Sequence, residues 1–156
     1  MESEKTMDSV NAQPLEILLV EDNPGDIRLI KEILKETKIR TNIQVAMDGE
    51  AALKLLFNTE NLNTAPRPDL ILLDLNLPKI DGRELLSEIK CSEGLKSIPV
   101  VILTTSTAEE DIIETYNNHA NSYITKPVDL DHFIRVVESI KDFWLSIVKL
   151  PRSDET

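Results

Sequence analysis

Three acidic positions, a threonine and a lysine each stand within two residues of the end of a short apolar run. Glu21 and Asp22 follow Ile17-Leu18-Leu19-Val20, and Asp74 follows Leu70-Ile71-Leu72-Leu73. Thr104 and Thr105 follow Val100-Val101-Ile102-Leu103, and Lys126 comes two residues after Ser122-Tyr123-Ile124. Carboxylates gathered within a few ångströms repel one another and call for a cation. With only oxygen donors on offer, the expected ion is Mg2+, a hard octahedral cation that keeps several waters. Lys126 adds a mobile positive charge and Thr104 a hydroxyl donor. Such a set suits an incoming phosphoryl group, with a carboxylate as nucleophile and metal and lysine neutralising the equatorial oxygens. Asp74 is the expected nucleophile. A lone Asp after a strand is more often a cap or a loop residue. The coincidence of all these groups at strand ends is what favours a site.

The elements that must bring them together alternate along the chain. The apolar runs above, with Ile43-Gln44-Val45-Ala46, read as strands buried on both faces. Between them lie amphipathic stretches with cap signals. Asn23 precedes Pro24 and the stripe Ile27, Ile30, Ile33 and Leu34; Asp48 and Asp81 stand where caps belong. Thr107-Ala108-Glu109-Glu110 reads as a capping box, and Asp129 precedes the last helix. Asn58 to Pro68 reads as a loop. Strand alternating with helix five times implies an α/β fold, a doubly wound five-stranded parallel sheet of order 2-1-3-4-5. Ligands of such sheets bind beyond the carboxyl ends of the strands, where the polar groups above converge. Residues 1–14 are expected to be a disordered lead, 15–149 one domain and 150–156 a tail.

Composition narrows the function classes. Of 156 residues, 17 are Lys or Arg and 28 Asp or Glu, a net charge of −11, so direct contact with nucleic acid or an anionic membrane is disfavoured. The single cysteine, Cys91, excludes a disulfide framework and a multi-thiolate metal site. Four glycines leave neither a dinucleotide fingerprint nor a phosphate-binding loop. His119 and His132 lie in or beside helical stretches without a nucleophile motif. No apolar run has the ~20 residues of a membrane span and no secretory leader is evident, so a cytoplasmic location is expected.

The motifs Leu18-Leu19-Val20-Glu21-Asp22-Asn23, Asp69 to Pro78 with Asp81-Gly82, Pro99 to Thr104 and Ala120 to Pro127 resemble the receiver domain of two-component response regulators. The likeness runs from about Glu16 to Lys149 and implies the flavodoxin-like, CheY-like receiver fold. It implies that Asp74 accepts phosphate from a sensor histidine kinase, and that Glu21, Asp22, Asp74 and the Asn76 backbone carbonyl hold Mg2+. Thr104 and Tyr123 would form the switch pair. Lys126 would bind the phosphoryl oxygen, with its bond to Pro127 expected cis. The segments Leu103 to Ser106, Ala108 to Ile112, Tyr123 to Asp129 and Phe143-Trp144-Leu145 are similar to single-domain regulators that serve phytochrome-type kinases. Thr105, larger than the Ala or Ser common beside the switch threonine, would narrow access to the site or restrict Tyr123. Little chain follows the last helix, so output is expected through protein contacts, not through an effector domain or enzymatic turnover.

Three other readings compete. A phosphate sink or a phosphorylation-independent pseudo-receiver would use the same fold. A haloacid dehalogenase-like phosphatase would place its acidic pair last, whereas Glu21-Asp22 comes first. The kinase is expected to meet the rim loops Asn23-Pro24-Gly25-Asp26 and Pro127-Val128, with Asp26 acting on docking and not on chemistry. In the last helix Phe133, Val137, Ile140, Trp144 and Val148 form a sheet-facing stripe. Val136, Phe143, Ile147 and Leu150 widen it to roughly 160°, against the ~100° sufficient for a surface helix. Val136, Phe143, Trp144, Ile147 and Leu150 are expected to form a homodimer interface.

Overall fold

A computed structural model of the protein describes residues 14–37, 40–57, 67–77, 79–104, 122–126 and 129–148, the last nine as backbone only. Five strands form one sheet: β1 (Leu15–Val20), β2 (Thr41–Ala46), β3 (Leu70–Asp74), β4 (Val100–Thr104) and β5 (Ser122–Thr125). All pairings are parallel and the order is β2-β1-β3-β4-β5, as the alternation of elements predicts. Every residue of the central β3 and β4 is buried, whereas β2, at the edge, is largely half-exposed.

Several strands run one or two residues beyond their apolar runs, because ladder bonds from neighbours extend them. Leu15 and Glu16 pair with Thr41 and Asn42, and the Leu15 N–H donates to the Arg40 carbonyl at 2.8 Å. Asp69 ties the start of β3 to β1. Its Oδ2 accepts the Glu16 N–H at 2.9 Å, and its own N–H donates to the Glu16 carbonyl at 2.7 Å. At the opposite edge Asp74, Thr104 and Thr125 are themselves strand residues.

Four helices are described: α1 (Pro24–Glu36), α2 (Gly49–Phe57), α3 (Gly82–Cys91) and α4 (Leu130–Val148). Each opens on the expected side-chain cap. Asn23 Oδ1 accepts the Asp26 N–H at 3.0 Å, Asp48 Oδ1 that of Ala51 at 2.8 Å, Asp81 Oδ1 that of Arg83 at 2.8 Å, and Asp129 Oδ1 that of Asp131 at 3.2 Å. The helix expected to open at Thr107 lies outside the described residues, as does most of the Asn58–Pro68 loop.

Strand alternation divides the core in two. Leu18, Val20, Ile71, Leu73 and Ile102 point toward α2 and α3, where Ala52, Leu85, Leu86 and Ile89 are fully buried. Ile17, Leu19, Leu70, Leu72, Val101 and Leu103 point toward α1 and α4, against Ile30, Leu34, Phe133 and Val137. Each fully buried aliphatic side chain contributes about 1.5–3 kcal/mol, so the β3 run alone anchors both layers.

The β3–α3 loop turns back over the strand end at Gly82. The Gly82 N–H donates to the Leu75 carbonyl at 3.1 Å, and a Cβ here would stand 2.5 Å from the Asp74 carbonyl oxygen and 2.6 Å from Leu75 Cα. Both are backbone atoms and cannot give way cheaply. Gly94 has nothing within 4 Å of the same position. Gly82→Ala is therefore expected to cost about 1–3 kcal/mol in urea unfolding and Gly94→Ala to change stability little. Equal effects of the two substitutions would show that the close approach at Gly82 is not a constraint.

Candidate functional site

The parallel register carries the polar groups to one edge. Val20 stands opposite Leu73, Asp74 opposite Leu103, and Thr104 opposite Thr125. The residues immediately beyond β1 and β5, Glu21 and Lys126, are thereby brought beside Asp74 although 105 positions separate them in sequence. Their backbones are fixed too: the Glu21 N–H donates to the Ala46 carbonyl at 3.0 Å and the Lys126 N–H to the Thr104 carbonyl at 2.7 Å.

Lys126 is the hub. Its Nζ donates to Glu21 Oε1 at 2.8 Å and to Asp26 Oδ2 at 2.8 Å, and lies 3.5 Å from Asp74 Oδ2. The side chain is 8 % exposed and that of Glu21 is wholly buried, so this is an ion pair taken out of water. Glu21 Oε2 accepts the Asn23 N–H at 3.2 Å, and Asp74 Oδ1 accepts the Asn76 N–H at 3.1 Å. Thr104 is buried, with its Oγ1 3.5 Å from Asn76 Nδ2, at the outer limit of a hydrogen bond. Tyr123 is half-buried against the core layer beneath α2 and α3, the layer of Ile102 and hence the face of Thr104.

Carboxylate oxygens of Glu21, Asp22 and Asp74 all lie within 4.8 Å of one another. Two of these residues are buried and Asp22 is exposed. Burial pushes the Glu21 carboxyl up to about 7; the hydrogen bond from Lys126 opposes this and the charge of Asp74 reinforces it. Burial disfavours the Lys126 ammonium, but hydrogen bonds to Asp26 and Glu21 and the charge of Asp74 outweigh it and hold its pKa above the ordinary lysine value. We take Lys126 as charged throughout the neutral range. Hard oxygen donors of excess negative charge, one of them open to solvent, fit a divalent cation such as Mg2+.

Two expectations change. Lys126 is not mobile at rest but held by two short bonds. Asp26, placed by its position on the docking rim, joins the charge cluster itself through Lys126. An acidic residue in a first helical turn carries no mark that separates dipole compensation from a long-range ion pair, so the sequence offered no means of finding this contact. Val136 is half-buried and packs against the core. The side chains of Phe143, Trp144 and Ile147, and all of Leu150, Thr105 and Pro127, lie outside the described residues.

The fold and the acidic edge define a phosphotransfer signalling module, and the comparisons with known proteins agree. A model of the response regulator receiver domain matches residues 17–138, and the chain belongs to that family. Response regulator Rcp1 of Synechocystis sp. is 49% identical over 138 residues, spanning 88% of this chain and 94% of Rcp1. The crystal structure of Mn2+-bound Rcp1 superposes with a TM-score of 0.72, covering 86% of this chain and 97% of the other. The phosphorylated cyanobacterial phytochrome response regulator RcpA is 48% identical with a TM-score of 0.73, covering 86% and 96%. A probable methanogenesis regulatory protein, FilR2 of Methanothrix harundinacea, is 45% identical over 88% of each chain. Receiver domains bind a divalent metal and interact with histidine kinases in two-component signalling. Among the described residues no helix is long and apolar enough to cross a membrane.

The buried pair at the hub yields a pH-dependent expectation. Lys126→Met strands Glu21 without its partner, at a cost of about 3–5 kcal/mol if the carboxylate stays ionised. A proton relieves it, and a carboxyl raised in the fold loses stability as pH rises from its unfolded value through its folded one. In EDTA, Lys126→Met should therefore trail wild type by a nearly constant amount below about pH 7, where Glu21 is protonated in both folded proteins, and fall progressively further behind above it. A pH-independent difference would contradict the buried Glu21–Lys126 pair.

Proposed function

We propose that the chain takes a phosphoryl group from a histidine kinase of the phytochrome type onto Asp74, and signals through contacts of the receiver itself. The observation that carries this is the Lys126 ammonium 3.5 Å from Asp74 Oδ2, within the Glu21-Asp22-Asp74 cluster. A carboxylate oxygen of Asp74 would attack phosphorus in line. The new O–P bond forms as the donor's N–P bond breaks, and the electron pair leaves with the imidazole, which takes up a proton. Glu21, Asp22, Asp74 and the Asn76 carbonyl would hold Mg2+. Bound there, the ion neutralises charge on the transferring oxygens. Lys126 would pair with one phosphoryl oxygen and the Thr104 hydroxyl would donate to another.

The same reading supplies a switch. Phospho-Asp74 carries about −2 charge, which draws the Thr104 hydroxyl inward and vacates space for Tyr123 on the same sheet face. Likeness to RcpA supports the phytochrome-type kinase, and a cytoplasmic setting is part of the same proposal. A homodimer through Val136, Phe143, Trp144, Ile147 and Leu150 completes the proposal, with Val136 at its core-facing margin.

Acetyl phosphate with Mg2+ should add one phosphoryl group, and Asp74→Asn should take none. Stoichiometric label in that variant would overturn the assignment. Asp22→Ala should weaken Mg2+ binding by ~10-fold or more, since even an outer partner of a metal site is worth that much. Unchanged affinity would move the ion elsewhere. Sedimentation of wild type and Phe143→Ala/Trp144→Ala, with and without acetyl phosphate, should show a dimer only in the wild type. A monomeric wild type in both states contradicts the interface.

A further inference from the structure

Asp26 stands in the first turn of α1, where an acidic side chain needs no explanation beyond the helix dipole. It nevertheless turns inward. Its Oδ2 accepts Lys126 Nζ at 2.8 Å, a contact spanning 100 positions of sequence, and its side chain is only 30% exposed. Lys126 thus gives its two short bonds to Glu21 and Asp26, while Asp74, the residue it must serve, is the farthest of the three at 3.5 Å.

The two short partners differ in what release would cost. Glu21 is wholly buried and closed to the water that would have to replace a lost ammonium. Asp26 lies at the rim beside the positive end of α1, where water and helix N–H groups can replace the lysine. When a doubly charged group arrives on Asp74, Asp26 is the partner that Lys126 can leave. We propose that Asp26 is a positioning residue that restrains Lys126 at rest and yields it to the phosphoryl group. Its bond to Lys126 exists in full only in the unphosphorylated chain and so opposes phosphorylation. This rests on the reading of Asp74 as acceptor.

The consequence runs against the usual effect of removing a site residue. Asp26→Asn deletes a competitor for Lys126 and a negative charge at the mouth of the site. Both changes favour an anionic group on Asp74. With Mg2+ present, labelling by acetyl phosphate should accelerate about fivefold, and beryllofluoride, a mimic of the bound phosphoryl group, should bind about fivefold more tightly. Because the effect lies in the site and not in docking, acetyl phosphate and a kinase donor should both show it.

A cycle with Lys126→Met separates this from a structural effect. In that background Asp26→Asn should change beryllofluoride affinity by less than about twofold, because the group that couples the two sites is gone. Asp26→Glu retains a carboxylate and should return labelling to within about twofold of wild type, which decides the matter even if Lys126→Met does not fold. Slower or unaltered labelling in Asp26→Asn, or a full effect without Lys126, overturns the proposal. A wild type that takes no label on Asp74 removes the reading beneath it instead, so the two failures are distinguishable.

Discussion

At the carboxyl edge of the sheet one ammonium group is shared among carboxylates that could not otherwise coexist. Glu21 is wholly buried and Asp74 nearly so, and Lys126 reaches both as well as Asp26. Taking charges of one sign out of water costs several kcal/mol per ion unless a partner of the other sign is fixed beside them. The lysine meets part of that cost, and the remaining negative charge is the physical reason a divalent cation belongs there. An affinity for a hard cation follows from this excess, while an anionic group arriving at the edge would be met by Lys126 and the cation, not by the carboxylates.

Such an arrangement tolerates little positional error, and the scaffold shows where the precision originates. Parallel pairing fixes Asp74 beside Leu103 and Thr104 beside Thr125, and backbone bonds from Glu21 to Ala46 and from Lys126 to Thr104 fix the residues just past the strands. Beneath them β3 and β4 are buried on both faces by two separate core layers. A shift of either strand would transfer its side chains between layers, so the hydrophobic pattern holds the charges in register. Gly82 then lets the chain fold back against the Asp74 carbonyl, closing the loop that carries Asn76.

Much of this was legible in the sequence, for identifiable reasons. Continuous apolar runs such as Leu70 to Leu73 mark strands buried on both faces, and Asn23, Asp48, Asp81 and Asp129 all cap the helices they precede. The carboxyl-edge rule for parallel sheets then gathered Glu21, Asp22, Asp74, Thr104 and Lys126 from periodicity alone. What escaped depends on partners rather than on local pattern. Thr41 and Asn42 are strand residues because β1 pairs with them, not because they are apolar. Asp26 is a site neighbour because the fold brings the first turn of α1 within reach of Lys126, 100 positions away, and no single-residue signal encodes that contact. The resemblance to receiver domains named the family, which residues 17–138 bear out, but it gave Asp26 no role in the chemistry.

In the function proposed, the acidic edge is built around Asp74 as the group that receives phosphorus, with Lys126 held ready beside it. A crystal structure of the full chain with Mg2+ and beryllofluoride tests this most directly. Beryllium bonded to a carboxylate oxygen of Asp74, the metal against Asp22 and Asp74, and Lys126 Nζ on a fluorine with its Asp26 contact lengthened is the result predicted. Beryllofluoride bound at another residue, or an adduct on Asp74 that leaves Lys126 on Glu21 and Asp26 as it stands, would contradict it.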